Sequence, residues 1–154
     1  MTKLCYDLLH TLKGKTLVTA ESCTGGGIGT AITAIPGSSA VYKGGIISYC
    51  NELKMQLLDV EPAVLAEYGA VSAPTAEAMA MGARIALKAD IAVSVTGLAG
   101  PDGDEFGNPI GTVYVGYSDI YHTISRKIRI SGDRDYVRQQ AIQAALKLVL
   151  EMNR

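Results

Sequence analysis

Serine, cysteine and threonine stand together in Thr19-Ala-Glu-Ser-Cys-Thr-Gly-Gly-Gly-Ile-Gly-Thr30, between a β-like run (16–20) and a helix-like segment. A nucleophile at such a junction is exposed at the end of the strand. Amides at the helix start face any negative charge that develops beside it. The Gly25 and Gly26 amides are therefore candidate oxyanion donors. Ser22 and Cys23 compete for the attacking role. Neighbours in a tight turn point different ways, so at most one faces a substrate, and these residues alone leave the choice open. A plain βα turn with Ser or Thr as the helix cap is the alternative.

Lys54 is the candidate base. It lies in Tyr49-Cys-Asn-Glu-Leu-Lys54, on the first turn of a helix that follows an extended run. The helix dipole disfavours a cation there, so the lysine is out of place unless it is used or anchored. With an ordinary pKa near ~10.4, about one lysine in 2500 is neutral at pH 7, a handicap of roughly 4.6 kcal/mol. Burial beside a helix N-terminus removes most of that. The alternative is a solvated surface lysine.

Other chemistries fit less well. His10 falls in the first helix and His122 at the start of a strand, both outside the Gly-rich segments, so a Ser/His/Asp triad is poorly supplied. Gly25-Gly-Gly-Ile-Gly29 misses dinucleotide spacing, because Thr30 stands where the last glycine belongs, and no P-loop follows. In the long loop 96–109, Asp102, Asp104 and Glu105 read as a solvated acidic tip before they read as cation ligands. Neither a metal nor a cofactor is expected. Ser131-Gly-Asp-Arg134 is equally an anion site built on Arg134 or a plain cap by Asp133.

The elements that must hold these residues follow from periodicity. Helices are expected over 2–13, from the turn to 34, after a cap at Asn51, over 62–68, over 72–88 behind Ser72-Ala-Pro-Thr, and from Asp133 to 151. Strands are expected over 16–20, 41–49, 91–95, 111–117 and 122–130, the last two as an antiparallel pair. Early αβ alternation with a late hairpin predicts a three-layer α/β/α sandwich with a mixed, mostly parallel sheet. In the last helix Ile142, Leu146, Val149 and Leu150 fall outside the stripe of Val137, Ala141, Ala144, Ala145 and Leu148. So wide an apolar surface predicts a homo-oligomer.

The chain of 154 residues reads as one domain, 1–154, with formal charge −1. Scattered Lys and Arg give no footprint for nucleic acid, and no apolar run approaches a membrane span. Three cysteines without CxxC spacing indicate neither disulfides nor zinc, which points to a reducing cytoplasm.

Four ordered segments together resemble the CinA C-terminal domain family, the nicotinamide-nucleotide amidohydrolases. They are Thr19–Gly26, Gly37-Ser-Ser-Ala40 with Tyr49–Lys54, Thr96–Gly103, and Ser131-Gly-Asp-Arg134. The resemblance covers nearly the whole chain and implies a three-layer α/β/α fold. It also implies hydrolysis of the nicotinamide mononucleotide carboxamide to nicotinate mononucleotide and ammonia, for NAD salvage. In that scheme Ser22 is the nucleophile, Lys54 the base and Cys23 a bystander. Thr24, Ser39, Tyr49, Asn51, Thr96, Gly97 and Arg134 fall around the substrate. Cys50 stands where Ser, Thr or Ala is the expectation, and the loop after Gly103 is short and lacks a Lys before its Pro. Both departures bear on substrate preference. They keep a second function in play, a nucleotide-binding module without turnover.

Overall fold

The computed structural model describes residues 1–154. In chain order the elements are α1 (Thr2–Thr11), β1 (Leu17–Glu21), α2 (Gly27–Thr33), β2 (Tyr42–Ile47), α3 (Asn51–Leu58), α4 (Pro62–Tyr68), α5 (Ala73–Ala86), β3 (Ile91–Gly97), β4 (Thr112–Ser118), β5 (Thr123–Arg129) and α6 (Arg134–Asn153). Local chemistry sets several boundaries. Pro62 occupies the first turn of α4, where its missing N–H costs nothing. The Ser72 side chain accepts from the Thr75 amide to start α5, and Asp133 accepts from Tyr136 to start α6.

The strands form one sheet in the order β2-β1-β3-β4-β5. β1 pairs in parallel with β2 and β3, whereas β4 runs antiparallel to both β3 and β5. Only β4 therefore opposes the common direction, and the expected mixed, mostly parallel sheet is present. Connections from β1 and β3 lead toward opposite edges of the sheet. That leaves a crevice at their carboxyl ends, the usual ligand position in open α/β sheets.

Alternation along each strand divides the core in two. Leu17, Val93, Val95, Val113, Val115 and Tyr117 face a layer made by α1, α2 and α6. Val18, Ala20 and Ala92 face Leu58 of α3, Leu65 of α4 and Met79 and Ala83 of α5. Gly82 lets α5 lie against the end of α3, since a Cβ there would meet the Leu58 carbonyl oxygen at 1.8 Å. The three-layer expectation is met.

Two expectations change. Asn51 does not cap α3: Cys50 holds the cap position with extended backbone, and its carbonyl accepts from the Lys54 amide at 3.2 Å. Asn51 is thus the first helical residue. In α6, Ile142, Leu146, Val149 and Leu150 are all buried within this chain, with α1 and α2 packed on the helix. The surface assigned to a partner is covered by the chain's own N-terminal helices. These four residues therefore do not call for a second subunit. No helix is long and apolar enough to cross a membrane.

Candidate active site

The period-2 pattern of β1 continues one residue past its end. Ser22 shares the face of Val18 and Ala20, toward α3 and α5, whereas Cys23 joins the core on the opposite face. Lys54 comes up from α3 to meet the serine. Its Nζ donates to Ser22 Oγ at 3.0 Å and to the Ser48 carbonyl at 2.7 Å. Ser22 is 8 % exposed and Lys54 1 %, and both line a cavity of about 270 Å³ at the carboxyl ends of β1, β2 and β3.

Burial sets the protonation of this pair. Desolvation lowers the Lys54 pKa to about 8, against weaker opposing pulls from the Cys50 and Cys23 thiols. No carboxylate forms an ion pair with it. Roughly one lysine in ten is then neutral at pH 7, against about one in 2500 for a free one. The same burial pushes the Cys23 thiol up to about 11, with partial relief from its own amide and from Arg138, Lys54 and Arg134. Cys23 is protonated at neutral pH, and its thiol is a poor nucleophile.

Tyr49, Asn51, Thr96, Gly97 and Arg134 line the same cavity. Thr96 is buried and its hydroxyl donates to the Ala70 carbonyl at 2.7 Å. Arg134 donates to the Gly100 carbonyl at 2.6 Å and to the Tyr49 hydroxyl at 2.9 Å. Neither acceptor is a carboxylate and no ion pair engages its guanidinium, although Asp102 lines the same cavity. Asp133 caps α6 at the same time, so the two readings of that segment are compatible. Asp104 is spent inside its own loop, accepting from the amides of Phe106 and Asn108.

Four expected residues are placed elsewhere. The Gly25 amide is bonded to the Ser22 carbonyl at 3.0 Å, which makes it a turn former and not an oxyanion donor. Gly25 and Gly26, at φ 57° and 101°, line a separate recess with Arg138 behind the turn. Thr24 is fully buried, its hydroxyl donates to Glu21 at 2.7 Å, and it does not line this cavity. Ser39 sits in an exposed 3₁₀ turn and does not line the cavity.

Glu21 is the functional residue that sequence reasoning missed. Its buried carboxylate accepts from Thr24 Oγ1, from the Ile28 amide at 2.8 Å and from the Gly29 amide at 3.1 Å. It caps α2 across the turn and so fixes the backbone that presents Ser22. The available signal was a charged residue at the buried end of an apolar strand.

No three His, Cys, Asp or Glu side chains come together in a way that could hold a metal ion. His122 lies beside Asp119 at 3.4 Å, on the β4–β5 turn, and lines no part of the cavity.

A buried serine and lysine in hydrogen-bond contact thus lie beneath a cavity at a sheet switch point of a three-layer α/β fold. The model of the CinA C-terminal domain matches residues 1–153, and the chain belongs to that family. It is 47% identical over 136 residues to the nicotinamide-nucleotide amidohydrolase PncC of Escherichia coli K12, across 88% of this chain and 82% of that protein. It is 50% identical over 131 residues to a CinA-like protein of Geobacter sp. strain M21, across 85% of this chain but only 32% of that protein. The chain thus spans about a third of the length of such longer relatives. Among solved structures, a competence or damage-inducible protein from Enterobacter asburiae superposes with a TM-score of 0.96 at 34% identity, covering 99% of this chain and 98% of that one.

Proposed function

We propose that this chain hydrolyses the carboxamide of nicotinamide mononucleotide to nicotinate mononucleotide and ammonia, feeding NAD salvage, with Ser22 as nucleophile and Lys54 as base. The observation that carries the reading is the 3.0 Å contact between the lysine amine and the serine hydroxyl. The relative that bears the amidohydrolase name, matched over most of both chains, supports the substrate.

Neutral Lys54 takes the Ser22 proton as Oγ attacks the carboxamide carbon. The resulting ammonium gives a proton to the amide nitrogen, the C–N bond breaks, and ammonia leaves a Ser22 ester. Water then attacks the ester while Lys54 takes its proton and returns one to Ser22 Oγ as the carboxylate departs. With the Gly25 amide already engaged, the Cys23 amide is the better oxyanion donor. It follows the nucleophile directly, bonds to no carbonyl, and belongs to a residue that lines the cavity.

The substrate phosphate is a dianion far from the scissile bond, and its binding energy can hold the carboxamide against Ser22. Arg134 offers the free charge to receive it. Arg134→Ala should lower kcat/KM for the mononucleotide by about 1.5–3 kcal/mol, roughly 10- to 150-fold. It should leave the slow hydrolysis of the unphosphorylated riboside nearly unchanged. Equal loss on both substrates would move the phosphate elsewhere.

The direct test measures ammonia release from nicotinamide mononucleotide by purified protein, with calorimetric binding in parallel. Turnover supports the amidohydrolase. Binding without turnover would replace it with a nucleotide-binding module.

A further inference from the structure

Ser48 is the place where the hydrogen-bond accounting fails. Its side chain is fully buried, and its Oγ is the one buried side-chain polar atom without a partner. Such an atom lowers stability and calls for an explanation. Its location supplies one, because the carbonyl of this same residue holds Lys54 Nζ at 2.7 Å.

The amine has four tetrahedral directions. One is its own Cε, one meets Ser22 Oγ and one meets the Ser48 carbonyl. The fourth carries an N–H in the ammonium, and in the neutral amine once its lone pair has turned to the Ser22 hydroxyl. No further acceptor bonds to it in the resting pair. An acceptor in that direction matters most after proton transfer, because a bond from an ammonium is roughly twice as strong as one from a neutral amine.

We propose that the Ser48 hydroxyl is a positioning residue that accepts the fourth-direction N–H of Lys54 when Lys54 has taken the proton of Ser22. Rotation about the Ser48 Cα–Cβ bond moves the hydroxyl without disturbing the carbonyl that anchors the amine. The backbone cannot drift either, since the Ser48 amide donates to the Glu21 carbonyl at 2.8 Å. The hydroxyl thus stabilises the ammonium for the moments in which it must store a proton and pass it to ammonia. This inference rests on the Ser22/Lys54 reading above.

The groups facing Lys54 are few. Cys23 comes from the turn after β1 and Cys50 from the start of α3, while Tyr49, Asp102 and Arg134 lie around the cavity mouth. None of them changes in a Ser48 variant. Ser48→Ala keeps the carbonyl and removes only the hydroxyl.

The test follows the Lys54 titration by ¹³C NMR of lysine-labelled protein, the Lys54 signal being identified by its absence in Lys54→Arg. Ser48→Ala should move that titration, and the acidic limb of the kcat profile, to lower pH by about one pH unit, the size expected for one charge-assisted bond. Plateau kcat should fall about 3- to 30-fold, as the weaker base and less stabilised ammonium require. Tm measured above about pH 9, where the amine is neutral in both proteins, should hold or rise, because there an unpartnered hydroxyl has been removed. Ser48→Thr should restore the wild-type titration.

An unmoved Lys54 titration in Ser48→Ala, with a raised Tm, would overturn the proposal and assign the fourth N–H to the cavity. A wild-type Lys54 that titrates at the ordinary lysine pH would overturn the Ser/Lys reading itself and this inference with it. The two failures are separate observations.

Discussion

Ser22→Ala should abolish ammonia release from nicotinamide mononucleotide, with a loss of roughly 10³- to 10⁶-fold in kcat, the range for removing a serine nucleophile. Calorimetry on the same variant should show the nucleotide still bound, because Tyr49, Thr96 and Arg134 line the cavity independently of the hydroxyl. Cys23→Ala is the control. At a pKa of about 11, roughly one Cys23 thiol in 10,000 is ionised at pH 7, and the side chain packs in the core behind the turn. Its loss should change kcat by less than about threefold and lower stability by about 1–2 kcal/mol, as for a small buried side chain. The reverse ranking, an active Ser22→Ala and a dead Cys23→Ala, would assign the thiol as attacker. The geometry argues against that outcome, because Lys54 donates to Ser22 and to no atom of Cys23.

Much of the fold was legible because its signals are local. Pro62, Ser72 and Asp133 announce the starts of their helices, and all three stand at the first turn or cap of an observed helix. In β5 the alternation puts Ile124 and Ile128 on one face, and both pack against the core. The width of the apolar surface on α6 was also legible, but not what covers it. A helix between a sheet and two further helices has the same composition as one at a subunit interface. Only the packing of α1 and α2 separates the two cases.

The site shows the same division. Ser22 was readable as one of two candidate nucleophiles at a strand end, and Lys54 as a lysine on a helix's first turn. Their meeting depends on the sheet order that brings α3 over the end of β1. The glycine amides misled because anion binding and turn formation use the same N–H groups. In Gly25 the turn takes the amide, and Glu21 takes the next free donors of α2. Nothing local marks Glu21 as a cap seven residues from Ile28, or Ser48 as the residue that anchors a lysine. Ser39 belongs to a motif in the sequence, yet its exposed turn leaves it outside the cavity.

Lys54 gives the second large effect, and it separates activity from stability. The active form carries a neutral amine, so activity should rise with pH through a group near pH 8 and level off above it. Lys54→Ala should cost about 10²- to 10⁴-fold in kcat and erase that rise, the scale of general acid–base catalysis. Lys54→Arg should be as damaging, because a guanidinium stays protonated and cannot accept the Ser22 proton. Stability should move the other way for an apolar replacement. The folded-state pKa lies below the unfolded one, so the unfolded chain binds more protons between about pH 8 and pH 10. Wild-type stability should therefore rise with pH across that window, and the desolvation penalty is present in full below it. Lys54→Met removes the penalty, worth at most about 3 kcal/mol at pH 7, less what the Ser48 carbonyl loses as an unpaired acceptor. Denaturant unfolding at pH 7 and pH 10 measures both changes. A variant that is inactive yet at least as stable as the wild type marks Lys54 as a residue held for chemistry. A Lys54→Arg protein with substantial activity would remove the lysine from the proton path and leave Ser22 without its base.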